Sequence, residues 1–262
     1  MDKNVNSFDA LYAEIGGARP LMSWDELLGF VRRFPHIAAF NAALIAQQRA
    51  GAIFVETEQA WRTKYNRLLT NDASALIVLH PFAPVRFVYD IADTVGTPVP
   101  AEVINPFTST RAPTWDGLRT VMDVLGRHEL TPTDLPRTQS PTVMLERLLF
   151  ELALTFAGHR GSRPDLGIAG SETDIDGRQA RFEAECITWV IAGRLGLKVT
   201  AAGSLKRYLK HGELMPPVSR DRVLHSVNAV EKLFGGALSF AEIVREDVPS
   251  LFSMDGEFSL PS

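Results

Sequence analysis

The chain has 262 residues, 45% of them hydrophobic and 22% charged, the make-up of an ordinary globular protein with length for one large domain or two modest ones. Its formal net charge is -4 with acids and bases interspersed, so no global field draws it to nucleic acid or anionic lipid, although a local basic face is still allowed. The single cysteine, Cys186, excludes an intramolecular disulfide, the polar start Met1-Asp2-Lys3-Asn4 lacks a signal-peptide core, and no run reaches the roughly 18 apolar residues of a membrane span, so a cytoplasmic protein without membrane contact is expected.

Residues 1–22 read as a tail. Ser23 with Glu26 three residues on is a capping box, and it opens a helix carrying Leu27, Leu28, Phe30 and Val31. Arg32 and Arg33 on that helix read as a solvated face. A second helix is expected from Ile37 to Arg49, broken by Gly51, with Phe40, Leu44 and Ile45 buried. Ala52 to Val55 is a strand candidate, and Glu58 to Arg67 a short helix or turn. Two runs rich in β-branched residues, Ala75 to His80 and Val85 to Ile91, flank Pro81-Phe82-Ala83-Pro84 and predict an antiparallel pair.

From Gly96 to Pro113 the chain is rich in proline and threonine and reads as a linker. A helix follows from Trp115 to Gly126, then an irregular stretch from Thr131 to Pro141. Ser140-Pro141 supplies the N-cap and first residue of a helix ending near Gly158, apolar on almost every side and therefore central to the core. Residues 161–177 form a loop, and a helix over Gln179 to Leu195 is stopped by Gly196. Two more helices are expected around Ser204 to Leu209 and Arg220 to Phe234, and residues 249–262 read as a second tail. No internal repeat is present.

The central apolar helix contains Phe150-Glu151-Leu152-Ala153-Leu154. In His-Glu-x-x-His, two imidazoles one turn apart share a zinc ion and the intervening Glu acts as general base on the metal-bound water. Here the Glu and the spacing are present, but Phe150 and Leu154 stand where the histidines would be. Neither can donate a lone pair to a metal. A carboxylate on so apolar a helix has a raised pKa or a partner such as a nearby arginine. The other histidines, His36, His80, His128, His211 and His225, show no ligand spacing. No phosphate-binding glycine loop, Gly-x-Ser-x-Gly elbow or Cys-x-x-Cys pair occurs.

Around this motif, Gly158-His159 follows the helix, and Phe182-Glu183-Ala184-Glu185 opens the next one, which continues into Trp189-Val190-Ile191-Ala192-Gly193-Arg194-Leu195-Gly196. In this order the segment 141–235 resembles the ImmA/IrrE family of zinc metallopeptidases. The resemblance implies a zincin-like helical core. It makes Glu151 a relic of the general base and Glu183 the one surviving counterpart of a metal ligand. Catalytic zinc takes about three protein ligands, so neither metal nor cofactor is expected. Phe150, Leu154, His159 and Glu183 are expected to line a cleft that still takes a partner. His159 reads as a structural hydrogen-bonding residue, Glu185 as solvated or salt-bridged, and Cys186 as a buried small hydrophobe.

The segment 23–95 resembles the N-terminal single-stranded-DNA-binding module of ArdC-like antirestriction proteins, through Phe40-Asn41, Leu44-Ile45, Gln47-Gln48-Arg49, Trp61 with Tyr65, and the paired strands. Single strands are held by aromatic faces flanked by cations. Trp61, Arg62, Lys64, Tyr65 and Arg67, with Arg49 on the neighbouring helix end, bring both ingredients. The other reading of Trp61 and Tyr65, one helical turn apart, is a packing face.

The expected fold is thus α+β and mainly helical, with a small antiparallel sheet and a zincin-like core. Its divisions are an N-terminal module (23–95), a linker with a connecting helix (96–140) and a degenerate metallopeptidase-like domain (141–248). The hairpin over 75–91 is expected to supply the sheet beside the long helix and so join the halves. The expected function is a non-catalytic binding or regulatory protein for single-stranded DNA or a protein partner. The alternatives are a metal-dependent hydrolase with a site rebuilt from Glu151, His159, Glu183 or Glu185, and a protein that is first of all a nucleic-acid binder.

Overall fold

Ser23 caps the first helix as its sequence predicts. In α1 (Trp24–Arg32), Glu26 reaches back to the Ser23 backbone N–H and hydroxyl at 2.9 Å each, while Leu27, Leu28, Phe30 and Val31 turn inward. The computed structural model describes residues 22–80, 83–107, 112–171, 175–199, 203–211 and 215–246. The readings made for residues 1–21 and for the tail after 249 lie outside that set.

The next elements are α2 (Ala39–Gln48), β1 (Val55–Glu56), α3 (Glu58–Lys64) and β2 (Arg67–Leu69). Then come β3 (Leu76–His80), β4 (Ala83–Asp90) and β5 (Thr94–Gly96). The antiparallel pair predicted from the β-branched runs is β3 on β4, with Ile77 opposite Phe87, and β1 adds to the other edge of β4. Asp90, buried, holds that junction by accepting from the Ile53 and Phe54 amides at 2.9 and 3.0 Å. A second small sheet, β2 with β5, has no counterpart in the sequence reading, because three residues a side carry too little periodicity to be seen.

β3 packs on α2, and two amide side chains of that helix bind its edge. Gln48 donates to Ile77 O and accepts from Ile77 N, both at 2.8 Å. Asn41 does the same for Leu79, both at 3.0 Å. Seven residues is nearly two helical turns, so both amides lie on one face, and two residues along a strand matches them. The free edge of the sheet is thereby occupied by side chains that imitate a neighbouring strand.

Beyond the sheets lie α4 (Ala101–Ile104), α5 (Trp115–Arg127), α6 (Pro141–Phe156) and α7 (Gly177–Arg194). The chain continues with α8 (Gly203–His211), α9 (Arg220–Leu233) and α10 (Ala237–Ile243). Ser140 accepts from the Val143 amide and Pro141 starts α6, as the sequence predicts. α4 lies in the stretch expected to be a linker, and α10 is a further helix after α9. The fold is α+β and mostly helical, with small antiparallel sheets.

One hydrophobic cluster runs through α1, α2, the inner face of β3 and β4, α5, α6, α7 and α9. Residues 23–95 and 141–248 therefore contribute to the same core, joined mainly by α1 and α2 lying against α7 and α9. The sheet sits on α2, not beside the long α6 where the hairpin was expected to join the halves.

Arg194 fastens this junction. Only 1% exposed, it places its Nε and NH2 on Glu231 at 2.7 and 2.9 Å and donates to the carbonyls of Val31, Phe34 and Ile37 at 3.1, 2.6 and 2.7 Å. The last carbonyls of α1 and the turn after it thus meet a buried cation whose own charge is paired.

Candidate functional site

Phe150, Glu151 and Leu154 lie on α6 at the spacing of the zinc motif, but each faces a different environment. Glu151 is half-hidden between two arginines: Arg147, one turn earlier, stands 2.8 Å from one carboxylate oxygen, and Arg160 donates to the other at 2.8 Å. The arginine partner that is one of the two alternatives for this carboxylate is thus present twice. Beside it opens a polar recess of about 470 Å³ lined by Asp134, Thr155 and Arg163. Phe150 instead lines an apolar recess of about 290 Å³ with Val143, Glu146, Thr188 and Trp189. Leu154 is partly buried against the core.

Glu183 is fully buried on α7. One carboxylate oxygen accepts from Gln179 and from the Ser219 amide, at 2.9 Å each. The other accepts from His159 at 2.9 Å and from Arg222 at 3.0 Å. Burial pushes this carboxyl up, and the hydrogen bonds from His159, Gln179, Ser219 and Arg222 outweigh it, so the net value falls to about 2. Glu183 is an ionised, saturated anchor joining α7 to the start of α9 and to the turn after α6.

That turn is what brings His159 in. α6 ends in a Schellman motif: the His159 amide bonds Leu154 O, the Gly158 amide bonds Thr155 O, and Gly158 is left-handed at φ +77°. A side chain at 158 would also collide with the Ala169 carbonyl oxygen. The reversal carries His159 off the Glu151 face and onto Glu183, where 3% of its side chain is exposed. Its Nδ1 is buried and has no hydrogen-bond partner among the described residues.

A rebuilt metal centre therefore does not form from these groups. His159 and Glu183 meet, but Glu151 belongs to the arginine pair, and Glu185 is engaged by Arg181 and the Leu205 amide. Among the described residues no group of three His, Cys, Asp or Glu side chains could hold a metal ion. The residues present do not fit zinc: the two histidine positions are hydrocarbon, and Glu183 has no free lone pair to offer. The four residues of the expected cleft, Phe150, Leu154, His159 and Glu183, do not share one surface: His159 and Glu183 are interior, whereas Phe150 lines a recess.

No protein-family model, no curated protein and no solved structure matches this chain. The site must be read from its own chemistry.

The residues expected to meet nucleic acid are mostly structural. Trp61 is 0% exposed, donates to Tyr89 O at 2.9 Å, and packs with Phe54 and Tyr65, so no face is free to stack a base. The packing-face reading of this aromatic pair is the one realised. Arg67 is spent on Thr94, Gly96 and Thr97 across β2 and β5, and Arg49 on Asp93. Arg62 and Lys64 are exposed, Arg62 in a pair with Glu58.

Sequence reasoning missed Arg222, Ser219 and Arg194. Gln179 carried a readable signal, since it stands four residues before Glu183 on the same helix. Cys186 is fully buried as expected, and burial pushes its thiol pKa up, away from reactivity. Among the described residues no helix is long and apolar enough to cross a membrane.

Proposed function

We propose that the protein is a non-catalytic binding protein, built on a zincin-like core of the ImmA/IrrE kind, that takes a protein or peptide partner in the recess beside Phe150. The observation that carries this reading is the state of the two carboxylates. Glu151 lies between Arg147 and Arg160, whose charges repel a metal cation, and Glu183 is saturated by four donors, so neither is set up as a metal ligand.

Where the first zinc ligand would stand, Phe150 forms part of an apolar recess with Trp189 and Val143 for walls. Thr188 and Glu146 line it. The Thr188 hydroxyl is buried without a hydrogen bond among the described residues, and Glu146 is half-buried with its carboxyl pKa raised by burial. An apolar side chain followed by a hydrogen-bond donor answers both needs, and the volume suits one side chain rather than a whole cofactor. Of the nucleic-acid candidates, the buried Trp61 and the engaged Arg49 and Arg67 favour the protein partner over single-stranded DNA.

Two measurements test the reading. Protein purified without chelator is expected to contain far less than one zinc per chain and to cleave no peptide; stoichiometric zinc with turnover would overturn the proposal and favour the rebuilt hydrolase. Panning a random peptide library is expected to enrich peptides centred on an apolar residue. Val143 is 47% exposed, so Val143→Arg blocks the recess without entering the core, and enrichment unchanged on that variant would remove the recess as the site.

A further inference from the structure

A third recess, of about 610 Å³, lies between the end of α1, the end of α7 and the residues after α4. Arg32, Arg33 and Lys198 line it, and none of its described lining residues is a carboxylate. In a chain of net charge -4 with interspersed charges this is a local exception. Arg194, Arg222 and Arg49 each face a carboxylate, whereas these three cations have no ion pair among the described residues.

Arg32 is the unusual member. Its guanidinium lies over the Trp189 ring at 4.0 Å and passes where a side chain at Gly193 would be, so it is held in place from two sides. Its Nε is buried without an acceptor among the described residues, and burial alone lowers its pKa to about 10. A guanidinium has five donors in a rigid fork that matches the oxygens of phosphate. One that is withdrawn from water, fixed in place and left unpaired is poised for an incoming anion.

The surroundings remove the usual obstacle. Helix C-termini present carbonyl oxygens that repel anions, and two helices end here. The Val31, Phe34 and Ile37 carbonyls are turned to Arg194, and the Leu195 carbonyl is taken by Arg245. The volume exceeds a bare phosphate, and Phe107 with the 55%-exposed Ile53 offers apolar wall for an attached body.

We propose that this recess binds a small phosphorylated molecule, with Arg32, Arg33 and Lys198 on its phosphate and Phe107 and Ile53 against its body. It is separate from the recess beside Phe150 and stands whether or not that one takes a peptide.

The test titrates inorganic phosphate, AMP and adenosine into the full chain, following thermal unfolding and the fluorescence of Trp189, with Trp189→Phe to assign the signal. Inorganic phosphate and AMP are expected to raise the unfolding temperature and to compete with each other, while adenosine does neither. Arg33 and Lys198 are exposed. Arg33→Gln and Lys198→Gln are therefore expected to fold normally and to weaken phosphate binding about tenfold each, as loss of one charge-assisted contact does. Arg32→Gln is expected to weaken it further. No effect of phosphate or AMP at roughly 10 mM, a regime in which even weak specific sites fill, overturns the proposal. So does unchanged binding in the Arg33 and Lys198 variants, or equal binding of adenosine and AMP.

Discussion

Glu183→Gln perturbs the candidate site with almost no change in shape, and its consequence can be worked from the contacts. The carboxyl falls from its ordinary 4.5 to about 2 in the fold. At about 1.4 kcal/mol per unit, that difference is worth about 3 kcal/mol at neutral pH. The replacement amide can still accept from Gln179 and the Ser219 amide. Its NH2, however, lands where His159 and Arg222 both donate, leaving a guanidinium facing a donor. Loss of about 3 kcal/mol should lower the unfolding temperature by roughly 6–12 °C for a chain of this size.

The pH dependence gives a second readout of the same substitution. Because the folded pKa is the lower one, the stabilising contribution is complete above 4.5 and disappears as the pH falls toward 2. The wild type should lose stability through that window, and the Gln variant should lack that part of the curve. Urea unfolding of both proteins from pH 7 to pH 2.5 checks it. A variant within about 0.5 kcal/mol of wild type, the range of an ordinary surface change, with an unchanged acid limb, would refute the role given to Glu183.

Arg194→Met should cost about 3–5 kcal/mol, the range for leaving a buried partner uncompensated, here Glu231. Adding Glu231→Leu should recover only part, because the Ile37 carbonyl is left without its donor and those of Val31 and Phe34 keep only a backbone amide each; urea midpoints of the single and double variants measure this. His36 is held at about 4 by burial and by the Arg194 charge, so its contribution is full above 6.5 and lost as the pH falls to 4. NMR titration should find it neutral at pH 6, and Arg194→Met should move its pKa upward. Gln48→Leu with Asn41→Leu should bare the β3 edge and raise aggregation, seen by light scattering, more than either change alone.

Much of the fold could be read along the chain because its causes are local. Ser23 with Glu26, Ser140 with Pro141, Gly196, and the β-branched runs of the hairpin act within a few residues of themselves. The same locality explains the misses: β2 and β5 are each too short for a pattern, and α4 sits inside a proline-rich stretch.

By itself, the sequence determined that α6 is a core helix, that Phe150 and Leu154 stand where a zinc motif would carry histidines, and that Glu151 on so apolar a helix has either a raised pKa or a cationic partner. Which groups meet across long separations was decided only by the tertiary structure. Arg222 lies 39 residues from Glu183, Glu231 37 from Arg194, and Trp189 far along the chain from Arg32. Charge alone could not tell a solvated arginine from one pressed against tryptophan, nor an aromatic face open to a base from one closed by Phe54 and Tyr65. Burial makes that distinction, and burial belongs to the packed molecule rather than to any segment of it.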